Sequence, residues 1–250
     1  MLSDLLQNPE VQRLLLLTED GLLFAIWETI YVTVLSTLFA YIIGLPLGVL
    51  VVVGEKNGIL PLPKPLMNVL NVIINLLRSV PFLILMVLVI PLSRVVLGTS
   101  IGTVATIIPL IVAAFPFVAR LVEASLREID KGVVEAAQAM GCSPFQIIWK
   151  VMLPESLPSL ITGFTTAFIT ILSYGAMAGA IGGGGLGQIA INYGYNRYNY
   201  AVMLIATILI VILVTIFQAL GSYLANRMDH RITKTTPKSK KHHPEKAGFQ

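Results

Sequence analysis

Five long apolar runs, separated by polar or by glycine- and proline-rich stretches, dominate the pattern of hydrophobic and polar positions. The runs cover residues 22–53, 76–96, 101–122, 157–181 and 201–224. A helix needs about 20 residues to cross about 30 Å of hydrocarbon, so every run is long enough to span a bilayer. The pattern predicts an all-α integral membrane protein with five transmembrane helices, within a transmembrane domain over residues 21–232.

The two ends of the chain differ from the runs. Residues 1–20 mix leucines with charged side chains, and we interpret them as an amphipathic segment that lies on the membrane. Residues 233–250 are polar and basic, which is typical of a solvated, disordered tail.

Polar and helix-breaking residues interrupt some of the runs. Gly44 and Gly48 stand four residues apart in the first run, a spacing that permits close helix contact. The second run follows an amphipathic stretch, residues 66–75, and is interrupted near its beginning by Arg-Ser-Val-Pro-Phe at residues 78–82. We interpret Arg78 as an interfacial side chain that extends to lipid headgroups. A contact with a substrate is the alternative.

The stretch between the third and fourth runs, residues 129–154, has the pattern of two short helices and not of a span. Its first half is rich in alanine, a strong helix former, and Gly141 can take the left-handed conformation that ends a helix. Ser143 and Pro144 suit the cap and first turn of a second helix, and Pro154 is expected to end it. The apolar positions of this second helix are Phe145, Ile148, Trp149 and Met152. Such a helix–turn–helix at a membrane surface suits the transmission of force from a soluble partner.

Composition agrees with a membrane protein. Of 250 residues, 56% are hydrophobic and 12% are charged, against about 25% charged in soluble domains. Seven of the seventeen basic residues lie from Arg227 onward, in the tail. This tail lacks interleaved aromatic residues, so no nucleic-acid partner is expected. Cys142 is the single cysteine, which excludes an internal disulfide.

The distribution of basic residues predicts the orientation. The loops after the first and third runs, together with the tail, hold thirteen Lys and Arg residues, whereas the opposite loops hold three. Basic loops stay in the cytosol. The N-terminus is therefore expected outside and the C-terminus in the cytoplasm, on the side of residues 129–154.

A glycine-rich segment, Gly-Gly-Gly-Gly-Leu-Gly at residues 182–187, follows the fourth run. A nucleotide-binding interpretation requires a preceding strand, and here an apolar run precedes it. We expect a tight turn outside the membrane, with the tyrosines of residues 188–200 at the interface.

The chemistry of most enzymes is absent from the sequence. The predicted spans contain no central acidic pair or histidine, and the chain has no zinc-protease or phosphate-loop motif. No catalytic residue, metal or cofactor is expected. Any energy source must therefore reside in a partner.

A candidate constriction lies in the fourth run. Ser173, Tyr174 and Met177 fall at i, i+1 and i+4, so Ser173 and Met177 share a helix face. Small residues surround Met177 and allow two copies of this helix to approach each other. A flexible thioether can close a path by packing and reopen it by rotating. The alternative is that Met177 only fills the core.

The stretch at residues 135–154 resembles a known family motif. Glu-Ala-Ala, two residues, Met-Gly, nine residues, Val151, one residue and Leu-Pro are similar to the EAA loop of ATP-binding-cassette (ABC) importer permeases, with Val151 where the family has Ile. The resemblance implies a type I ABC importer permease fold with a cytoplasmic coupling helix, and ATP hydrolysis by a separate subunit. The implied ATPase-coupling residues are Glu135, Ala136, Ala137, Met140, Gly141, Ser143, Pro144, Leu153 and Pro154.

Further motifs resemble the methionine-uptake permeases of this family. They lie at residues 78–82, 98–102, 183–188 and 193–195. The resemblance implies a second copy of the chain, two cytosolic ABC ATPase subunits and an extracytoplasmic substrate-binding lipoprotein as partners. It also implies methionine as the substrate and a prokaryotic cytoplasmic membrane as the location. A permease for another amino acid or a small osmolyte, and an ion-coupled carrier, are the alternatives.

Overall fold

The computed structural model describes residues 21–228, and within that range the chain is almost entirely helical. The helices are, in chain order, α1 (Leu22–Val53), α2 (Lys64–Ser79), α3 (Phe82–Leu97), α4 (Thr103–Arg127), α5 (Lys131–Ala139), α6 (Pro144–Ile147), α7 (Leu153–Glu155), α8 (Leu157–Ala178), α9 (Gly185–Gln188) and α10 (Tyr200–Met228). The π-helical turn Ile148–Met152 joins α6 to α7, and a second, Ile189–Tyr195, extends α9. The predictions for residues 1–20 and 233–250 concern segments outside the described range.

Four helices are long and apolar enough to cross a membrane, namely α1, α4, α10, and α8 with its 3-10 extension Gly179–Ile181. Helix α1 coincides with the first apolar run, whereas α4 continues beyond residue 122 to Arg127 and α10 continues beyond residue 224 to Met228. Arg120 and Arg127, which the orientation argument placed in a loop, therefore lie in the last turns of α4.

The second predicted span is not one straight helix. Helices α2 and α3 meet at an angle of 110°, and together they make the fifth candidate span. The break lies at Val80 and Pro81, both extended, with ψ angles of 128° and 135°. A proline disfavours helical geometry in the residue before it and donates no backbone hydrogen bond of its own. The run predicted to begin at residue 76 therefore begins as a membrane-type helix only at Phe82.

The core of the molecule lies between α1 and α4. A Cβ atom added to Gly44 would lie 2.7 Å from Val118 Cγ1, and one added to Gly48 would lie 2.7 Å from Val122 Cβ. The two glycines therefore allow the close helix contact that their spacing predicted. Helix α8 packs on this pair with Ala167 and Ile171, which are fully buried.

A polar network fixes α2 against the end of α4. The guanidinium of Arg120 donates to Asn71 Oδ1 and Asn75 Oδ1, both at 2.9 Å, and to Glu123 at 2.5 Å. Arg127 pairs with Glu55 at 2.5 Å. Arg120 and Arg127, which were predicted to lie in a loop, thus hold helices together. A sequence pattern alone does not reveal these contacts.

The glycine-rich segment makes a turn, and most of it is buried. Gly184 and Gly185 have φ angles of 76° and 70°, and Leu186 is fully buried. The segment then enters α9 and its π-helical extension, so much of the region predicted as a loop is helical. Because glycine has no Cβ, the backbone can lie directly against α1, α4 and α8. Tyr195 and Tyr198 are exposed, as side chains at an interface are.

Candidate coupling surface and transport pathway

Local chemistry explains the first half of the helix–turn–helix. Asp130 caps α5, since its carboxylate accepts the Gly132 N–H at 2.7 Å. Gly141 has a φ angle of 78°, and its N–H donates to the Gln138 carbonyl at 2.9 Å. No atom lies within 4 Å of a Cβ added there, so the backbone conformation and not the space requires glycine.

The second half begins as predicted but ends differently. Ser143 and Gln146 form a reciprocal capping box, in which the Ser143 N–H donates to Gln146 Oε1 at 2.9 Å. Pro154 does not end the helical run, which continues to Glu155 and turns at Ser156. The π-helical turn interrupts the regular α-helical hydrogen bonding, and a new α-helix begins at Leu153. Pro154 therefore falls in the first turn of α7, where a missing N–H costs little.

The same π-helical turn divides the predicted apolar stripe between two faces. Of the stripe, Met152 is buried in the core and Ile148 is half-buried. The buried Ile147 and Ala137 lie beside them, although neither was predicted as part of the stripe. Phe145 and Trp149 point outward, 69% and 59% exposed, with their ring centroids 6.2 Å apart.

We call the outward apolar residues the coupling face. It consists of Met140, Phe145 and Trp149, and Met140 is 76% exposed. The other predicted coupling residues differ in exposure. Those exposed are Glu135, Ala136, Gly141, Ser143, Pro144 and Pro154, while Leu153 is half-buried and Ala137 is buried. Ala137 therefore packs the turn onto the core and is not available for docking.

The predicted constriction residues separate into two groups. Ser173 and Met177 are exposed on one face of α8, and Met177 is 47% exposed. Tyr174 is half-buried and stacks on Phe82 of α3, with ring centroids 4.2 Å apart and an interplanar angle of 6°.

A stripe of hydroxyl groups continues the Ser173 face along α8, which sequence reasoning missed. Thr162, Thr166 and Thr170 precede Ser173 at helical spacing, and each hydroxyl donates to the backbone carbonyl four residues earlier. The repeated spacing of threonines within an apolar run was the available signal.

Sequence reasoning also missed the role of Glu28, a single carboxylate near the start of the first apolar run. Its carboxylate accepts a short hydrogen bond from the Thr103 hydroxyl and one from the Gly185 N–H at 2.9 Å. The neighbouring Thr29 hydroxyl accepts the Leu186 N–H at 2.9 Å. These bonds fasten α1, α4 and the glycine-rich segment together beside the end of α8. A single carboxylate in an apolar run was the signal, but its partners are distant in sequence.

Arg78 is exposed near the end of α2. It lines a recess of about 260 Å³ at the break between α2 and α3, and it makes no hydrogen bond or ion pair with another residue in the described part of the chain. Among residues 21–228, no cluster of three His, Cys, Asp or Glu side chains is arranged to hold a metal ion.

Comparisons with known proteins agree with this geometry. A model of the family described as binding-protein-dependent transport system inner membrane component matches residues 44–230. A probable D-methionine transport system permease protein, MetI, from Vibrio cholerae serotype O1 is 46% identical over 86% of this chain and 95% of its own. A methionine import system permease protein, MetP, from Bacillus subtilis is 44% identical over 67% of this chain and 76% of its own.

Solved structures show the same fold. A chain of the MetNI methionine ABC transporter in inward-facing conformations superimposes with a TM-score of 0.83 at 44% identity, over 89% of this chain and 99% of that one. An amino acid ABC transporter chain solved with histidines, only 21% identical, superimposes with a TM-score of 0.67 and supports the fold alone. The helical architecture is therefore that of a type I ABC importer permease. Because the family model covers most of the chain and close relatives align over nearly their whole length, this multi-pass membrane protein belongs to the family of binding-protein-dependent transport system inner membrane components.

Proposed function

We propose that this chain is the permease subunit of an ATP-driven methionine importer and forms the path for the substrate across the cytoplasmic membrane. The observation that carries the proposal is the 46% identity with a D-methionine permease over 95% of that relative's length. ATP hydrolysis belongs to a separate subunit, in keeping with the relatives' designation as permease proteins.

The coupling face is the proposed contact with that ATPase. Exposed aromatic and methionine side chains of this size are typical of a surface that a partner covers. Met140, Phe145 and Trp149 surround the Gly141 turn on two sides, with Glu135 and Lys150 exposed nearby. We assign Glu135 a polar contact with the ATPase surface. The alternative is that Glu135 only faces water.

Two copies of the chain fit this mechanism. Each chain offers one coupling face, and a symmetric pair about an axis along the membrane normal presents two faces to two ATPase subunits. The substrate-binding lipoprotein then docks on the opposite side of the membrane, which carries the Gly182–Tyr200 region.

The substrate specificity of transport is tested by competition for uptake. A methionine auxotroph that lacks its own importers receives this chain together with its ATPase and binding protein, and uptake of labelled L-methionine is measured against unlabelled competitors. We expect methionine to compete most strongly. Uptake displaced equally well by an unrelated amino acid or a betaine would assign the permease to another substrate.

The proposed orientation predicts a labelling pattern. Asn57 follows α1 and Asn196 lies in the tyrosine-rich region, and both are exposed. Single cysteines at these positions, in a Cys142→Ser background, are treated with a membrane-impermeant maleimide on intact cells. We expect labelling at position 196 only, because the basic loops lie in the cytosol. Permeabilised cells provide the control, in which both positions react, and labelling at 57 but not 196 in intact cells would reverse the orientation.

Met177 is the proposed constriction of the pathway. It is half-exposed in one chain, and it lies on the face of α8 that carries Ser173 and the hydroxyl stripe. We expect Met177→Ala to raise ATP hydrolysis in the absence of binding protein and to leak substrate, because a shorter side chain leaves the path open. The measurement is basal ATPase activity and passive efflux in proteoliposomes. Met177→Leu, which conserves volume, is the matched control. A well-assembled Met177→Ala complex with normal basal hydrolysis and no leak would leave Met177 as core filler.

A further inference from the structure

The break between α2 and α3 opens a recess whose walls come from four helices. We call it the break recess, and its volume is about 260 Å³. Helices α2, α3, α4 and α8 line it with Leu77, Arg78, Val80, Phe82, Leu85, Ala113, Phe117 and Tyr174. It thus combines a cation with three aromatic rings and several aliphatic side chains. Ligand sites of small molecules likewise combine hydrophobic and aromatic side chains with a few polar groups that fix orientation.

Arg78 is the charged group of the break recess. The arginines in the last turns of α4 are paired with carboxylates, since Arg120 bonds Glu123 and Arg127 bonds both Glu55 and Glu123. Arg78 has no such partner among residues 21–228. A planar guanidinium with free donors binds a carboxylate through two parallel hydrogen bonds.

The aromatic wall of the break recess is already ordered. Phe82 and Tyr174 stack in parallel, 4.2 Å apart, and this contact joins α3 to α8. Phe117 of α4 lines the same recess. A thioether sulfur makes favourable contacts with aromatic rings, so this wall suits the side chain of methionine.

The position of the break recess connects it with the pathway. Tyr174 precedes Met177 by three residues on α8, a rise of about 4.5 Å along the helix. Interrupted apolar segments form the substrate site in many secondary transporters, because irregular backbone in a membrane is tolerated where it lines a cavity.

Two other recesses of similar size lack this combination. The recess between α4, α8 and α10, about 270 Å³, contains Glu128 and Glu155, whose charges oppose a carboxylate. The recess at the start of α2, about 260 Å³, contains Lys56 and Lys64 but no aromatic side chain.

We propose that the break recess is a transient binding site for the amino acid in transit. Arg78 binds the α-carboxylate, and the Phe82–Tyr174 pair and Phe117 contact the thioether side chain. This inference rests on the proposed function and adds the residues that select an amino acid with a free carboxylate and an apolar side chain.

The test locates the substrate and measures the role of the charge separately. The complete complex with its ATPase and binding protein is reconstituted in proteoliposomes, and a diazirine analogue of methionine is photoactivated during ATP-driven uptake. We expect adducts on peptides containing residues 82–85 or 113–117, and we expect an excess of L-methionine to suppress them.

In parallel, Arg78→Gln should lower methionine uptake about tenfold or more, the effect of losing a charge-assisted contact to a carboxylate. Arg78→Lys should restore part of the rate.

The control is Arg94→Gln in the last turn of α3, where an arginine that is also exposed lies outside the recess. It should transport at the wild-type rate. Co-purification with the ATPase confirms that the Arg78 variants assemble. Adducts confined to other regions, or an Arg78→Gln complex that transports methionine within twofold of wild type, would overturn the inference while leaving the proposed function intact. Failure of the wild-type complex to transport methionine would reject the proposed function, and this inference with it.

Discussion

Gly141→Val should abolish binding-protein-stimulated ATP hydrolysis and uptake, although the chain remains in the membrane. Gly141 holds a φ angle of 78° in the turn between α5 and α6. A β-branched side chain strongly disfavours that conformation, so the turn must reorganise. Reorganisation moves Met140 on one side of the turn relative to Phe145 and Trp149 on the other, and the coupling face is lost.

Two matched variants separate the role of this turn from backbone strain in general. Gly98 has a φ angle of 77° and, like Gly141, no atom within 4 Å of an added Cβ, but it lies between α3 and α4. Gly98→Val therefore carries the same strain, and its complex should still co-purify with the ATPase. Gly141→Asn should recover much of the wild-type activity, because asparagine tolerates the left-handed conformation. Wild-type stimulation of hydrolysis in Gly141→Val would show that the turn does not transmit the motion of the ATPase.

A large loss of stability is expected for Gly184→Ala. The added methyl group would overlap the Thr103 hydroxyl and lie 3.0 Å from Thr103 Cβ, and the φ angle of 76° is unfavourable for alanine. With a ψ angle of −172° at Gly184, this backbone conformation is essentially restricted to glycine and costs another residue about 1–3 kcal/mol, and overpacking adds about 1–3 kcal/mol. The Glu28 hydrogen bonds that hold the glycine-rich segment would also be displaced.

A series of glycine variants measures these contributions one at a time. Gly98→Ala has the unfavourable φ angle without an overlap, and Gly163→Ala has neither, since its nearest neighbour would lie at an ordinary 3.6 Å. The thermal unfolding midpoint of the purified protein in detergent should fall most for Gly184→Ala, less for Gly98→Ala and least for Gly163→Ala. A Gly184→Ala protein as stable as the Gly163→Ala protein would mean that the glycine-rich segment does not pack as described.

Signals that are local in sequence predicted structure well. The first apolar run coincides with α1 because its apolar character is continuous over 32 residues. Gly141 and Ser143 were identified because the conformation and the cap that they provide depend on their own chemistry. The proline at position 81 signalled an interruption, but the angle of 110° between α2 and α3 depends on contacts that α2 makes with α4.

Contacts between distant residues escaped prediction. Glu28 and Gly185 are separated by 157 residues, and Glu28 and Thr103 by 75. No periodicity within one helix indicates such partners, so the sequence predicted a tight turn in the glycine-rich segment but not the contacts that bury it. The π-helical turn after Ile147 was missed for a similar reason. It places Met152 inward and Trp149 outward, whereas a regular helix would have left them on one apolar stripe.

The central claim is that this chain carries methionine only when an ATPase acts on the coupling face. The most direct measurement is uptake of labelled L-methionine into proteoliposomes that contain this chain, its ATPase and its binding protein, with ATP supplied on the ATPase side and no ion gradient. The account predicts accumulation that requires ATP and the ATPase and that disappears with Gly141→Val. Equal accumulation without ATP, driven by an imposed ion gradient, would contradict it.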